Sequence, residues 1–146
     1  PYDPLPDIRR FLAGTPPIVQ LAGVAGAVEV LAEIGLDRIR AKNLALTELA
    51  VQLHDEWLAP LGFTLGSPRD PKRRGSHVCL RHPDAESITG ELVTGERVIA
   101  DFRGPDRLRL GLAAPYTRFV EVYDAMARLR TLVQRRQTVS TSLPRT

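Results

Sequence analysis

The sequence predicts an α/β fold in which two long helices precede a small, mainly antiparallel sheet with helices on one face. Three observations carry this. From Leu36 to Leu58 apolar residues recur at three- and four-residue steps. From Arg107 to Leu112 leucines alternate strictly with arginine or glycine. From about Thr117 the helical period returns, with Phe119, Val122, Met126, Leu129 and Val133 on one stripe.

The elements follow in order. Residues 1–17 read as an extended segment, because Pro1, Pro4, Pro6, Pro16 and Pro17 leave room only for a short turn around Asp7–Leu12. A first helix is expected from Pro16, with Thr15 as N-cap, running to about Ile34 and stopping at Gly35. It is apolar nearly all round, so it is expected to be mostly buried. The second helix carries Leu36, Ile39, Leu46, Leu49, Leu53 and Trp57 on one face and ends before Pro60 and Gly62. Short strands are expected at Phe63–Leu65 and His77–Leu80, joined by the polar loop Ser67–Gly75. Pro83 opens a helix with Asp84 and Glu86 in its first turn, closing near Gly95. Val98–Phe102 is the next strand, Gly104-Pro105-Asp106 a turn, and Gln137–Thr146 a polar, frayed end. In domain terms the division is 1–17, 18–59, 60–137 and a flexible tail at 138–146.

Composition limits the function. The chain has 146 residues, 43% hydrophobic and 25% charged, which excludes wholesale disorder and collagen-like repeats. No apolar run approaches the roughly 18 residues of a membrane span. Cys79 is the single cysteine, so no internal disulfide is possible, and with no signal peptide read ahead of the fold the expectation is a soluble, cytoplasmic protein. Lys42 and Lys72 are the only lysines among 20 basic residues. Amine chemistry therefore has two candidates, whereas planar binding of carboxylate or phosphate has many.

Several residues could carry chemistry. Alternation turns Leu108, Leu110 and Leu112 to the helices and Arg109 to the open face, held in mid-strand as a carboxylate-binding arginine needs to be; pattern alone favours a solvated arginine. Thr15 could meet an anion at a helix mouth or simply cap the helix, and pattern favours the cap. His77 and Cys79 share a strand face, but His82 falls on the other, so no metal is expected. His54, Asp55 and Glu56 are consecutive on a helix and form no dyad. Arg69-Asp70-Pro71-Lys72-Arg73-Arg74 is the densest basic stretch. It lacks interleaved aromatics and reads as a solvated loop rather than a nucleic-acid surface. Lys42 and Lys72 are not placed for the burial a catalytic amine needs.

Five segments go further. Phe11-Leu12-Ala13-Gly14-Thr15-Pro16-Pro17-Ile18, Arg40-Ala41-Lys42-Asn43-Leu44-Ala45-Leu46-Thr47, Arg74-Gly75-Ser76-His77-Val78, the run from Asp101 to Leu112, and Pro115-Tyr116-Thr117-Arg118-Phe119 resemble the C-terminal portion of bacterial kynureninase, in family order over about residues 1–133. The resemblance implies the small C-terminal domain of the aspartate-aminotransferase fold. It further implies a homodimer using pyridoxal 5′-phosphate (PLP) to hydrolyse L-kynurenine to anthranilate and L-alanine in tryptophan catabolism, upstream of NAD biosynthesis. It assigns Arg109 to the substrate α-carboxylate. Thr15 is assigned to the cofactor phosphate and the substrate ring across the dimer, with Gly14 beside it, in the bacterial pattern that goes with plain kynurenine rather than its 3-hydroxy form. No nucleic-acid or membrane partner is implied. The large PLP domain and the lysine that holds the cofactor have no match here, and neither Lys42 nor Lys72 stands at that position. The expectation is therefore a portion that is inactive alone, exposes apolar surface around residues 1–35 and tends to associate. The alternatives are another enzyme of the class V aminotransferase fold, such as a desulfurase or lyase, and a stand-alone arginine-rich module for anions or nucleic acid.

Overall fold

The alternating run after the Gly104–Asp106 turn forms the inner strand of a four-stranded sheet. In the computed structural model, which describes residues 3–12 and 14–142 and the side chains of the last helix as far as Thr138, the strands are β1 (Thr64–Leu65), β2 (His77–Arg81), β3 (Asp101–Arg103) and β4 (Arg107–Gly111). Their spatial order is β1-β2-β4-β3 and every neighbouring pair is antiparallel. The Gly104–Asp106 turn sets the hairpin register, pairing Arg103 with Arg107, Phe102 with Leu108 and Asp101 with Arg109. On the other side of β4, Cys79 faces Arg109 and His77 faces Gly111.

The pleat sorts the two faces as expected. Val78, Leu80, Leu108 and Leu110 are buried, while the residues between them are exposed or half-buried. Onto the buried face pack α2 (Leu36–Leu53), α3 (Ala85–Thr94) and α4 (Phe119–Ser142), whose Leu46, Ala50, Ile88, Leu92, Met126 and Leu129 join the strand leucines in one core. The chain separates into two units, Pro1–Leu36 and Asp37–Thr146, so the sheet, α2 from Asp37 onward, α3 and α4 belong to the second.

Several expectations are corrected. Helix α1 (Ile18–Ile34) has no buried residue, and Ile18 and Val19 are 75% and 84% exposed. Its composition marks a helix that seeks cover on every side, and that cover is not supplied within the described residues. The helix also starts later than Pro16. A residue before proline is pushed towards extended backbone, which disfavours a helical Pro16 ahead of Pro17. The N-cap is Pro17, with no side-chain cap bond. Helix α2 gives way at His54–Leu58 to a π-helical turn and then a 3₁₀ turn, stopped at Gly62 with φ +92°. The third strand begins at Asp101 rather than Val98, because the Val98 amide bonds the carbonyl of Leu92 (3.0 Å) and Arg97 sits at φ +55°. That holds residues 96–98 to the end of α3. Helix α4 continues to Ser142, past the expected end near Gln137; the expectation for 143–146 lies outside the described residues. Among the described residues no single helix is long and apolar enough to cross a membrane.

Candidate functional site

Arg109 sits where the alternation places it, mid-way along β4 on the open face, with its side chain 34% exposed. Hydrogen bonds on both sides of β4 hold that strand in a ladder, which makes it a rigid platform for a guanidinium. The Arg109 Nη2 donates to the carboxylate of Asp101, its register partner on β3, and Asp101 also accepts from Arg103 Nε at 3.0 Å. Partial burial works against ionising Asp101, but the Arg109 and Arg103 guanidiniums outweigh it and hold its carboxyl below the ordinary value.

Arg109 lines a cleft of about 360 Å³ together with Ser76, His77, Gly111 and Tyr116. Two backbone segments form its walls, the start of β2 and the end of β4, and the Leu112 amide joins them by donating to the Ser76 carbonyl at 2.8 Å. Helix α2 holds both. Buried Asn43 donates Nδ2 to the Leu112 carbonyl at 3.3 Å and accepts from Arg40 Nη1 at 3.2 Å. Arg40 also donates to the carbonyls of Arg74 (3.1 Å) and Pro71 (2.7 Å). Arg74 is itself buried, with Nη1 on the carbonyls of Pro68 and Arg69 and Nη2 on Glu48 at 2.8 Å.

The basic loop is thus tied down rather than solvated throughout. Arg69 makes a bidentate pair with Asp55 at 2.8 Å through both Nη nitrogens. Asp55 is also hydrogen-bonded to the Nδ1 of buried His54 at 2.8 Å, so these neighbours do pair, contrary to expectation, where α2 gives way to the π-helical turn. These two partners hold the Asp55 carboxyl far below the usual range, with Arg69 the larger influence. Two of the four cations in the run 69–74 are therefore spent on Asp55 and Glu48, which weakens the case for a nucleic-acid surface.

His77 and Cys79 lie on the open face as expected, exposed and half-buried respectively. His82 instead stacks on Phe63, ring centres 4.6 Å apart, and accepts from the Asp84 amide at 3.0 Å. A second groove of about 450 Å³ lies along the other edge of β4, floored by Leu110, Leu112 and Val122. Pairing of β3 with β4 stops at Asp101 and Arg109, so Gly111, paired with His77 of β2 on one side, has no β3 residue opposite it on the groove side among the described residues.

Gly14 and Thr15 are both exposed, in the first unit. Because α1 takes Pro17 as its N-cap, the Thr15 hydroxyl does not serve as the helix cap. Lys42 is half-buried on α2 and Lys72 is exposed on the loop.

The sequence pattern missed Asp101 and the Arg40–Asn43–Arg74 clasp. Asp101 was within reach, since a hairpin centred on the turn at Gly104-Pro105-Asp106 pairs it with Arg109. The clasp joins residues far apart in sequence, and nothing in local periodicity signals it.

Comparison with known proteins agrees with this architecture. The family model of the kynureninase C-terminal domain matches residues 39–129. The chain is similar to the kynureninase of Pseudomonas fluorescens, 38% identical over 92% of this chain and 32% of that protein. It is also similar to that of Geobacillus thermodenitrificans, 38% identical over 87% and 29%, and to that of Burkholderia mallei, 39% identical over 90% and 32%. The chain thus spans about a third of the length of these relatives. With most of its sheet and packing helices inside the matched region, the chain belongs to the kynureninase C-terminal domain family.

Proposed function

We propose that this chain is the substrate-gripping part of a PLP-dependent kynureninase, a hydrolase that takes L-kynurenine and water to anthranilate and L-alanine in tryptophan catabolism. The observation that carries this is Arg109, a partly exposed guanidinium on a rigid inner strand at the wall of a cleft of about 360 Å³. In this reading Arg109 binds the α-carboxylate through a planar fork of N–H groups. Thr15, with Gly14 beside it, contributes its hydroxyl to the cofactor phosphate and the substrate ring across a homodimer, with kynurenine preferred to its 3-hydroxy form.

The residues present fit part of what PLP requires. Thr15 is exposed and not used as the helix cap, as a phosphate contact needs. Of the two lysines, Lys42 lies half-buried on α2 and Lys72 stands on an exposed loop, and neither lines the cleft with Arg109. When bound, PLP supplies the electron sink for cleaving a carbon–carbon bond next to the amino-acid centre. The task of this chain is to orient the substrate for that chemistry. Alone it is expected to be inactive. A cytoplasmic location completes the proposal, supported by Cys79 standing as a free thiol.

The test supplies the cofactor-bearing part from the Pseudomonas fluorescens relative, adds PLP and L-kynurenine, and follows anthranilate by fluorescence. Arg109→Ala is expected to raise KM by about tenfold to a hundredfold, the worth of one charge-assisted hydrogen bond. An unchanged KM removes Arg109 from the site.

A further inference from the structure

Arg109 is half of a cross-strand pair. Register sets Asp101 directly beside it on β3, and the Asp101 carboxylate accepts from Arg109 Nη2 while also holding Arg103. Among the described residues Asp101 is the sole hydrogen-bond partner of the Arg109 side chain. A guanidinium offers two bidentate forks, Nη2 with Nε and Nη2 with Nη1, so Nη2 has one hydrogen in each. A single bond to Nη2 occupies one fork and leaves the other complete. Arginine is a long side chain with several rotatable bonds, and at 34% exposure packing alone does not fix its end group.

Resting on the carboxylate role proposed for Arg109, we infer that Asp101 is its positioning residue: by holding one Nη2 hydrogen it fixes the guanidinium plane and keeps the opposite fork open for a ligand carboxylate in the cleft. Asp101 touches no substrate in this arrangement and acts through Arg109. The other charged or titratable groups on that face are Arg103 on β3, Arg107 on β4, and His77, Cys79 and Arg81 on β2. Asp101 is the carboxylate on that face, and it is bonded to Arg109. Asp106, in the turn, is taken by Arg81 at 2.7 Å.

The chain labelled with ¹⁵N-arginine tests this without catalysis. In the parent protein at pH 7 the Arg109 Nη groups are expected to give separate, slowly exchanging signals, which merge as acid protonates Asp101. In Asp101→Asn they are expected to be merged at pH 7 already, and Asp101→Glu is expected to restore part of the separation. Merging in the parent on acidification reads the same contact should the Asn variant fail to fold. L-Alanine serves as the carboxylate probe, and the shift it causes at Arg109 Nε is expected to be lost in Asp101→Asn. Nη signals equally separate in parent and Asp101→Asn overturn the inference. So does an equal response of both proteins to L-alanine, which leaves the carboxylate role standing. An Arg109 held by Asp101 yet silent to L-alanine overturns the carboxylate role itself, and the inference with it.

Discussion

Replacing Arg74 by alanine tests whether the loop before β2 is anchored from within. The side chain is 1% exposed and donates three hydrogen bonds of 2.8–3.1 Å, to Glu48 and to the carbonyls of Pro68 and Arg69. Hydrogen bonds from a charged donor contribute roughly 1.5–3 kcal/mol each when the acceptor is otherwise stranded. Here Glu48 is half exposed and Pro68 and Arg69 lie at the surface, so water can replace the lost donor and about 1 kcal/mol each is the fitting figure. Loss of the packed aliphatic stem adds about 1 kcal/mol. One contribution runs the other way. Among the described residues Arg74 Nε is buried without a partner, and relieving that stranded donor returns roughly 1–2 kcal/mol. The net cost is about 2–3 kcal/mol, or a fall in Tm of roughly 8–12 °C for a domain near 100 residues. Urea unfolding at constant m measures it. Arg74→Met keeps most of the stem and is expected to recover about 1 kcal/mol. A cost below about 0.5 kcal/mol for the alanine variant, or a methionine variant less stable than alanine, would refute the reasoning.

Three further outcomes are expected. Leu108→Ala removes a fully buried side chain from the centre of the core and should cost about 2–5 kcal/mol in denaturant melts, with the open face of the sheet unchanged. The Asp55 carboxyl lies below its ordinary value in the folded chain. Its stabilising effect is therefore complete above the unfolded value near pH 4 and is lost as pH falls below it, so Asp55→Asn should flatten the acid limb of the stability profile, and an unaltered limb counts against the Asp55–Arg69 contact. Val24→Asp with Val28→Asp interrupts the exposed apolar surface of α1; light scattering should show less self-association, with the melting of residues 37–142 unmoved.

Much of the second unit was legible because its pattern and its burial agree. The leucines of β4 point inward and Arg109 outward, and Pro60 and Gly62 stop the α2 segment as their backbone chemistry requires. The errors have local physical causes. Thr15 matches an N-cap in composition, yet two consecutive prolines move the helix start beyond it. Val98 and Ile99 look like strand, but the Val98 amide is already committed to α3. The all-round apolar character of α1 predicts a buried helix, and the helix is exposed instead, because a local period does not say whether a covering surface is at hand. The candidate site divides in the same way. Arg109 emerged from alternation, whereas its partner Asp101 required the hairpin register and Asn43 required the tertiary fold.

Helix α2 grips the cleft by main-chain handles on both sides, through Asn43 at Leu112 and Arg40 at Arg74. Mechanically this makes the helix a lever with both jaws fixed to the same arm. A tilt of α2 carries the start of β2 and the end of β4 together, since the Leu112–Ser76 bond closes the triangle. The gape of the cleft is therefore insulated from motion of the helix, while its location in space is not.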